Sequence, residues 1–215
     1  AEVEYKDHTS NTIYTSFKIK NTTKDFLKDG HVIIWTTTPW TIPANRALAY
    51  SSKIKYSVIK IGKDTEYFQN KNIIIASELI KTVSEECNIK DFKVLKEFNG
   101  SDFKNTICQH PLLDLGYKHD VPMLEGDFVT LEQGTGVVHA APSHGPDDFN
   151  LCLKHGLRAP DTINDAGVYT EAITFFSGIH IFKADPVVID KLAESKSLLG
   201  NGKLQHSFPH SWRSK

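Results

Sequence analysis

Trp35-Thr36-Thr37-Thr38-Pro39-Trp40-Thr41-Ile42-Pro43-Ala44-Asn45 follows the apolar run Val32-Ile33-Ile34. Consecutive β-branched residues favour an extended strand end. Pro39 and Pro43 bias the residues before them away from helix and stop the strand from continuing. The reading is a core strand, His31 to Trp35, that delivers a rigid polar ledge. The hydroxyls and free backbone N–H groups of that ledge must find a turn, a water or a ligand. Successive strand residues face opposite sides, so a strand continued through Thr38 turns Thr37 away from Thr36 and Thr38. A kink before Pro39 lifts that rule. Taken alone, the stretch goes no further than an ordinary strand running into a proline-rich turn.

A second stretch adds to it. Gly134-Thr135-Gly136-Val137-Val138-His139-Ala140-Ala141-Pro142-Ser143-His144-Gly145-Pro146-Asp147-Asp148-Phe149 reads as a glycine turn, a short buried strand, a polar loop and a helix start. Together the two stretches resemble the editing domain of class I isoleucyl-tRNA synthetases, the connective insertion that splits the catalytic fold. The sister valyl and leucyl enzymes typically carry an arginine where this chain has Thr38, and lack a residue of the His139 kind. Ala1-Glu2-Val3-Glu4-Tyr5 and Pro209-His210-Ser211-Trp212-Arg213 resemble the incoming and outgoing connections of that insertion, so the likeness covers nearly the whole chain. It implies one editing domain over residues 1–215, with 1–10 and 205–215 as connections to a catalytic body. The chain lacks an initiator methionine and starts and stops in mid-pattern, as a piece of a longer protein would.

Outward from these motifs the chain reads as many short strands with two or three helices. Strands are expected at Thr12–Lys20, Arg46–Tyr50, Tyr56–Ile61, Ile73–Ile75, Phe92–Phe98, Val121–Leu124 and Phe128–Leu131. Ser77 is placed to cap a short helix. Pro146 opens another, with Phe149, Cys152 and Leu153 on one face and Gly156 at its end. A third opens at Asp185-Pro186 and ends near Gly200. No βαβ rhythm appears, which suits a mainly β fold, either a β-barrel or a strongly curved mixed sheet with helices packed outside. The resemblance implies a distorted β-barrel with peripheral helices. His110 and His119 read as surface or structural histidines.

The 215 residues suffice for a real core, and 40% are aliphatic or aromatic. A net charge of −1 argues against a general nucleic-acid binder but not against a pocket for one nucleic-acid end. Cys87, Cys108 and Cys152 are odd in number and widely spaced, as buried thiols in a reducing cytoplasm would be. No apolar run approaches a membrane span and no secretion signal is present.

The resemblance also implies a chemistry. Isoleucine and valine differ by one methylene, worth about 1–3 kcal/mol in an apolar pocket, and isoleucyl-tRNA synthetases are themselves the standard worked case of that limit. A second pocket must admit valine, exclude isoleucine and hydrolyse valyl-tRNA(Ile), with pre-transfer editing of valyl-adenylate as a further route. By resemblance Asp148 anchors the α-ammonium, Thr36, Thr37, Thr38 and Asn45 position the ester and terminal adenosine, and His139 walls off isoleucine. Adenosine contacts are expected from Trp35, Pro39, Trp40, Gly136, Val137, Val138 and His144. No Ser–His–Asp set is evident, so direct attack by an ordered water is expected. A base role for His139 stays open. No metal or cofactor is expected in this domain; ATP and Mg2+ belong to the catalytic domain. The partners implied are the aminoacylated 3′ end of tRNA(Ile) and the catalytic domain in cis, with the protein a cytoplasmic monomer. Two rivals remain: a metallohydrolase built on His139, His144 and Asp148, and a module that only holds the tRNA end.

Overall fold

The computed structural model describes residues 3–63 and 65–211, with side chains within 9–63 and 65–204. The extremes of the two connections, Ala1-Glu2 and Trp212-Arg213 among them, lie outside the described residues. Ten strands run in chain order: β1 (Val3–Asn21), β2 (His31–Thr36), β3 (Ala47–Tyr50), β4 (Lys55–Ile61), β5 (Asn72–Ala76), β6 (Phe92–Asn99), β7 (Ile107–Gln109), β8 (Asp120–Glu125), β9 (Val138–Ala140) and β10 (Leu198–Ser211). Three α-helices accompany them: α1 (Ile80–Glu86), α2 (Pro146–Lys154) and α3 (Ile181–Glu194). A 3-10 turn over Pro39–Ala44 follows β2 directly.

The strands form one mixed sheet in the order β6-β4-β5-β2-β1-β7-β8-β3-β9, with β10 also on β1. β2 with β5 and β3 with β8 are parallel pairs; the rest are antiparallel. β1 is the spine. Its first part pairs with β10 from Val3↔Ser211 onward, its middle with β2 from Ile13↔Thr36 to Lys18↔His31, and its end with β7. The register shifts at Tyr14/Thr15 and again between Ile19 and Asn21, and such irregularities bend and twist a strand.

Among the described residues the strands do not close into the expected distorted barrel. The path runs from β6 to β9 without joining its ends. β6 turns most of its length to solvent, including Val94 and Leu95, with Lys93 and Lys96 among them, as an edge strand that must discourage further pairing does. At the other end β9 has only three residues before Pro142 nears.

β2 sits between β1 and β5, and Val32, Ile33 and Ile34 are fully buried. A central strand covered on both faces needs this continuous apolar run rather than alternation. The core extends through Ile13 and Phe17 of β1, Ile73–Ile75 of β5, and Ala184, Val188 and Leu192 of α3, the last three lying on one stripe of their helix.

Local expectations fail where a polar group sets the geometry. On α2 the buried residues are Leu151 and Cys152, whereas Phe149 and Leu153 are exposed. The inward face is Asp148, Leu151 and Cys152, spaced i, i+3, i+4, because the Asp148 carboxylate turns back to the Ala141 amide. Ser77 does not cap α1; it begins a 3-10 turn and its hydroxyl pairs with that of Ser57 at 2.7 Å. α3 starts four residues before Asp185, where His180 accepts the Phe182 N–H at 3.1 Å. It ends at Glu194 through a left-handed Lys196, with Lys196 N–H bonded to Ala193 and Ser197 N–H to Leu192. Phe128–Leu131 is not a strand. Among the described residues no helix is long and apolar enough to cross a membrane.

Candidate active site

The ledge and the glycine stretch meet. β2 ends at Thr36, and the Thr38 N–H turns back onto the Thr36 hydroxyl at 3.1 Å, a local side-chain bond that competes with continuing the strand. The hydroxyls of Thr36 and Thr38 lie 3.2 Å apart. Thr36 and Thr38 thus share one side because the chain kinks back after β2, not because the strand continues.

The 3-10 turn then brings Thr41 beneath Thr38. Thr41 donates its hydroxyl to the Thr38 carbonyl at 2.8 Å, and the Thr41 oxygen is 2.8 Å from His139 Nε2. Asn45, fully buried just after the turn, donates through Nδ2 to the Ala47 carbonyl and to His139 Nδ1, both at 2.9 Å. An amide nitrogen only donates, and flipping this amide would set its oxygen against the Ala47 carbonyl. His139 Nδ1 is therefore the acceptor, which assigns the Nε2–H tautomer from the network. The Thr41 oxygen accepts that N–H while its own O–H donates to the Thr38 carbonyl. Both ring nitrogens of His139 are occupied, so no lone pair is left to draw a proton from water. The Asn45 Oδ1 atom, also buried, has no partner.

His139 lies in β9, opposite Leu48 of β3. Two residues on, the Ala141 N–H donates to Asp148 Oδ2 at 3.0 Å. Asp148 is the third residue of α2 and half-buried. Burial raises its pKa above the ordinary carboxylate value and the Asp147 charge adds to this, while the Ala141 bond opposes it. The helix end and the nearby amides favour the ionised form; desolvation outweighs them here.

Trp35, Thr36, Thr37, Gly136, Val137 and Val138 line a single cavity of about 400 Å³ together with Phe128, Thr130, Gln133, Gly134, Thr135 and Leu204. Gly136 is required there. Its φ is +81°, and a Cβ would stand 2.5 Å from that of Ala76. Trp40 and His144 do not line this cavity; they form an edge-to-face pair at 4.9 Å, and His144 Nε2 bonds the Thr162 hydroxyl at 2.7 Å. Pro39 is buried at the start of the turn. Among the described residues no cluster of three or more His, Cys, Asp or Glu side chains is placed to hold a metal ion. Thr41 was missed as a site residue although it stands inside the quoted stretch. Its spacing of three from Thr38 carries a signal only once a tight turn is assumed.

Comparison with known proteins bears on what this geometry belongs to. The family model described as leucyl-tRNA synthetase, editing domain, matches residues 10–179. The chain belongs to that editing-domain family. It is 59% identical to an isoleucine–tRNA ligase of Pelagibacter ubique (strain HTCC1062), over 100% of this chain and 24% of that protein. It is 42% identical to one of Gluconobacter oxydans (strain 621H), again over 100% of this chain and 24% of that protein. The editing domain thus spans about a quarter of the length of the curated relatives it matches. A solved structure described as GlLeuRS-CP1 superimposes with a TM-score of 0.66 at 14% identity, over 87% of this chain and 97% of that one. That likeness establishes the fold.

The buried histidines of this editing domain give it a pH-dependent stability. Burial depresses the pKa of His31 to about 4, His110 to about 3 and His139 to about 4, with nearby Lys71 and Lys18 adding for His31 and His144 for His139. In the unfolded chain each returns toward 6.5. Between the two values the unfolded state binds more protons, so stability is complete above the upper one and declines as the pH falls through the window. Asp148 and Asp185, raised by burial, act in the opposite sense nearer the carboxylate range. Urea midpoints are expected to fall steadily from pH 7 to pH 5; a flat profile there contradicts the assignment.

Proposed function

We propose that the chain hydrolyses the ester of valyl-tRNA(Ile) and spares isoleucyl-tRNA(Ile), by attack of a positioned water. The observation that carries this reading is the fixation of His139 by Thr41 and Asn45, beside the Asp148 carboxylate, which accepts the N–H of Ala141 two residues beyond the ring. A neutral ring tied at both nitrogens is a rigid wall, which a steric sieve requires. Asp148 keeps one oxygen for the substrate ammonium. Of the Thr36 and Thr38 hydroxyls, which bond each other, one keeps a proton to offer toward an ester oxygen, and the cavity lined by Trp35, Thr37 and the Gly136–Val138 segment accepts the terminal adenosine. His139 is not the base in this scheme. Water is activated by position and by the neighbouring ribose hydroxyl of the substrate.

On this reading residues 1–215 are one domain of a synthetase whose catalytic domain acts in cis and holds the ATP and Mg2+ chemistry. The domain itself uses no cofactor and works as a cytoplasmic monomer on the aminoacylated 3′ end of tRNA(Ile), with valyl-adenylate as a second substrate. The test is incubation of the chain with valyl-tRNA(Ile) and isoleucyl-tRNA(Ile). Loss of the valyl ester well above its spontaneous rate, with the isoleucyl ester at background, is expected. Equal loss of both, or acceleration of neither, overturns the reading.

A further inference from the structure

The Pro39–Ala44 turn is held from outside by side chains that no motif marks. Tyr169 donates its hydroxyl to the Trp40 carbonyl. His110 bonds the Ile42 carbonyl through Nε2 at 3.0 Å, and its Nδ1 accepts the Leu112 N–H, which fixes the tautomer. His119 bonds the Asn45 carbonyl through Nε2, also at 3.0 Å. Asp185 of α3 accepts the Trp40 N–H at 3.0 Å, and Asn11 of β1 reaches its other oxygen at 3.4 Å. Six residues of 3-10 turn cannot satisfy their own end groups. Here those groups are bonded by side chains from separate segments.

Asp185 differs from the other three. It alone is an acceptor, it is the charged one, and the N–H it holds belongs to the residue before Thr41. Thr41 must present its N–H and its hydroxyl to the same Thr38 carbonyl, at 2.9 and 2.8 Å, while meeting His139. Asp185 fixes the Pro39–Trp40 peptide through its N–H, and Tyr169 fixes the next peptide, Trp40–Thr41, through its carbonyl; the entry of the chain into Trp40 then decides whether all three contacts can form together.

We propose that Asp185 is a positioning residue for the editing site: by holding the Trp40 N–H it sets the turn in which Thr41 joins Thr38 to His139. It touches neither substrate nor reacting atoms. The proposal rests on the deacylase reading for its catalytic consequence and on geometry alone for its structural one, and the two are separable. Asp185→Ala removes the acceptor. Asp185→Asn keeps an oxygen for Trp40, and Asn11 can turn its amide to pair with the new NH2 group.

Two measurements on the 215-residue chain decide it. By amide hydrogen exchange, Asp185→Ala is expected to speed Trp40 and Thr41 roughly tenfold or more, the β4 and β5 amides staying as in the unmodified chain. In single-turnover hydrolysis of valyl-tRNA(Ile), the rate constant is expected to fall about tenfold or more with half-saturation unchanged, and the isoleucyl ester to begin to be lost. Asp185→Asn is expected to restore both to within about threefold, since the hydrogen bonds and not the charge are needed. Unchanged exchange at Trp40 and Thr41, loss of protection throughout the chain, or an Asn variant as impaired as the Ala variant overturns the proposal. If the unmodified chain hydrolyses neither ester, the deacylase reading falls while the exchange result still decides the role of Asp185 in the turn.

Discussion

Asp148→Ala is expected to abolish valyl-ester hydrolysis in practical terms while leaving the fold intact. The carboxylate is half-buried and spends one oxygen on the Ala141 N–H; in the proposed reaction the other holds the substrate ammonium. A partly desolvated charge pair of this kind loses about 2–5 kcal/mol when one partner is truncated, roughly 30-fold to several-thousand-fold in rate. The substitution also frees the Ala141 amide at the end of β9, so β9 should loosen locally. Asp148→Asn separates the effects. It can keep an oxygen on Ala141 but offers no charge, so it should match the Ala variant in hydrolysis and the unmodified chain in melting temperature. Hydrolysis by Asp148→Asn at the normal rate would remove Asp148 from the anchor role.

His139→Ala should change selectivity more than rate. The ring is held at Nδ1 by Asn45 and at Nε2 by Thr41; if it is the wall of the proposed sieve, its removal opens space for one more methylene. Forcing a methylene into a well-packed site costs about 1–3 kcal/mol, so relief of that clash should raise isoleucyl-ester hydrolysis roughly 5- to 150-fold. Valyl-ester hydrolysis should fall by a smaller factor, because Thr41 and Asn45 lose a partner and the turn relaxes. The pH dependence adds a second discriminator. A ring with both nitrogens occupied and a pKa depressed to about 4 cannot supply a base that titrates near neutrality. The valyl-ester rate of the unmodified chain should therefore show no histidine inflection between pH 6 and 8. An inflection that disappears in His139→Ala would restore the ring as a base.

Much of this was legible in the residues themselves. Val32-Ile33-Ile34 announces a strand buried on both faces, and the prolines that follow announce its end. The kink before Pro39, which lifts strand alternation beyond Thr36, is the case the structure shows. Where the reading failed, a polar contact that the apolar pattern does not mark had decided the matter. The α2 face was taken from its apolar residues, but the inward direction is set by Asp148 reaching Ala141. The start of α3 was placed at Asp185-Pro186 by turn chemistry, whereas His180 begins the helix and Asp185 serves Trp40. His110 and His119 look ordinary in the chain because what they bond lies about seventy residues away in sequence. Closure of the sheet was likewise beyond local pattern, since strand spacing does not say which edges meet.

The pairing of β1 with β10 has a thermodynamic side. Val3 and Ser211 are partners in register, so the two ends of the described chain leave it one strand spacing apart, about 5 Å. A fold interrupted by a flexible loop of roughly 200 residues would lose about 5 kcal/mol of closure entropy, from (3/2)RT ln n. Within this domain that loss is already met by its own sheet. Any host that carries the domain between two neighbouring residues of its own receives a loop whose ends already coincide. The added mass then costs the host almost no stability.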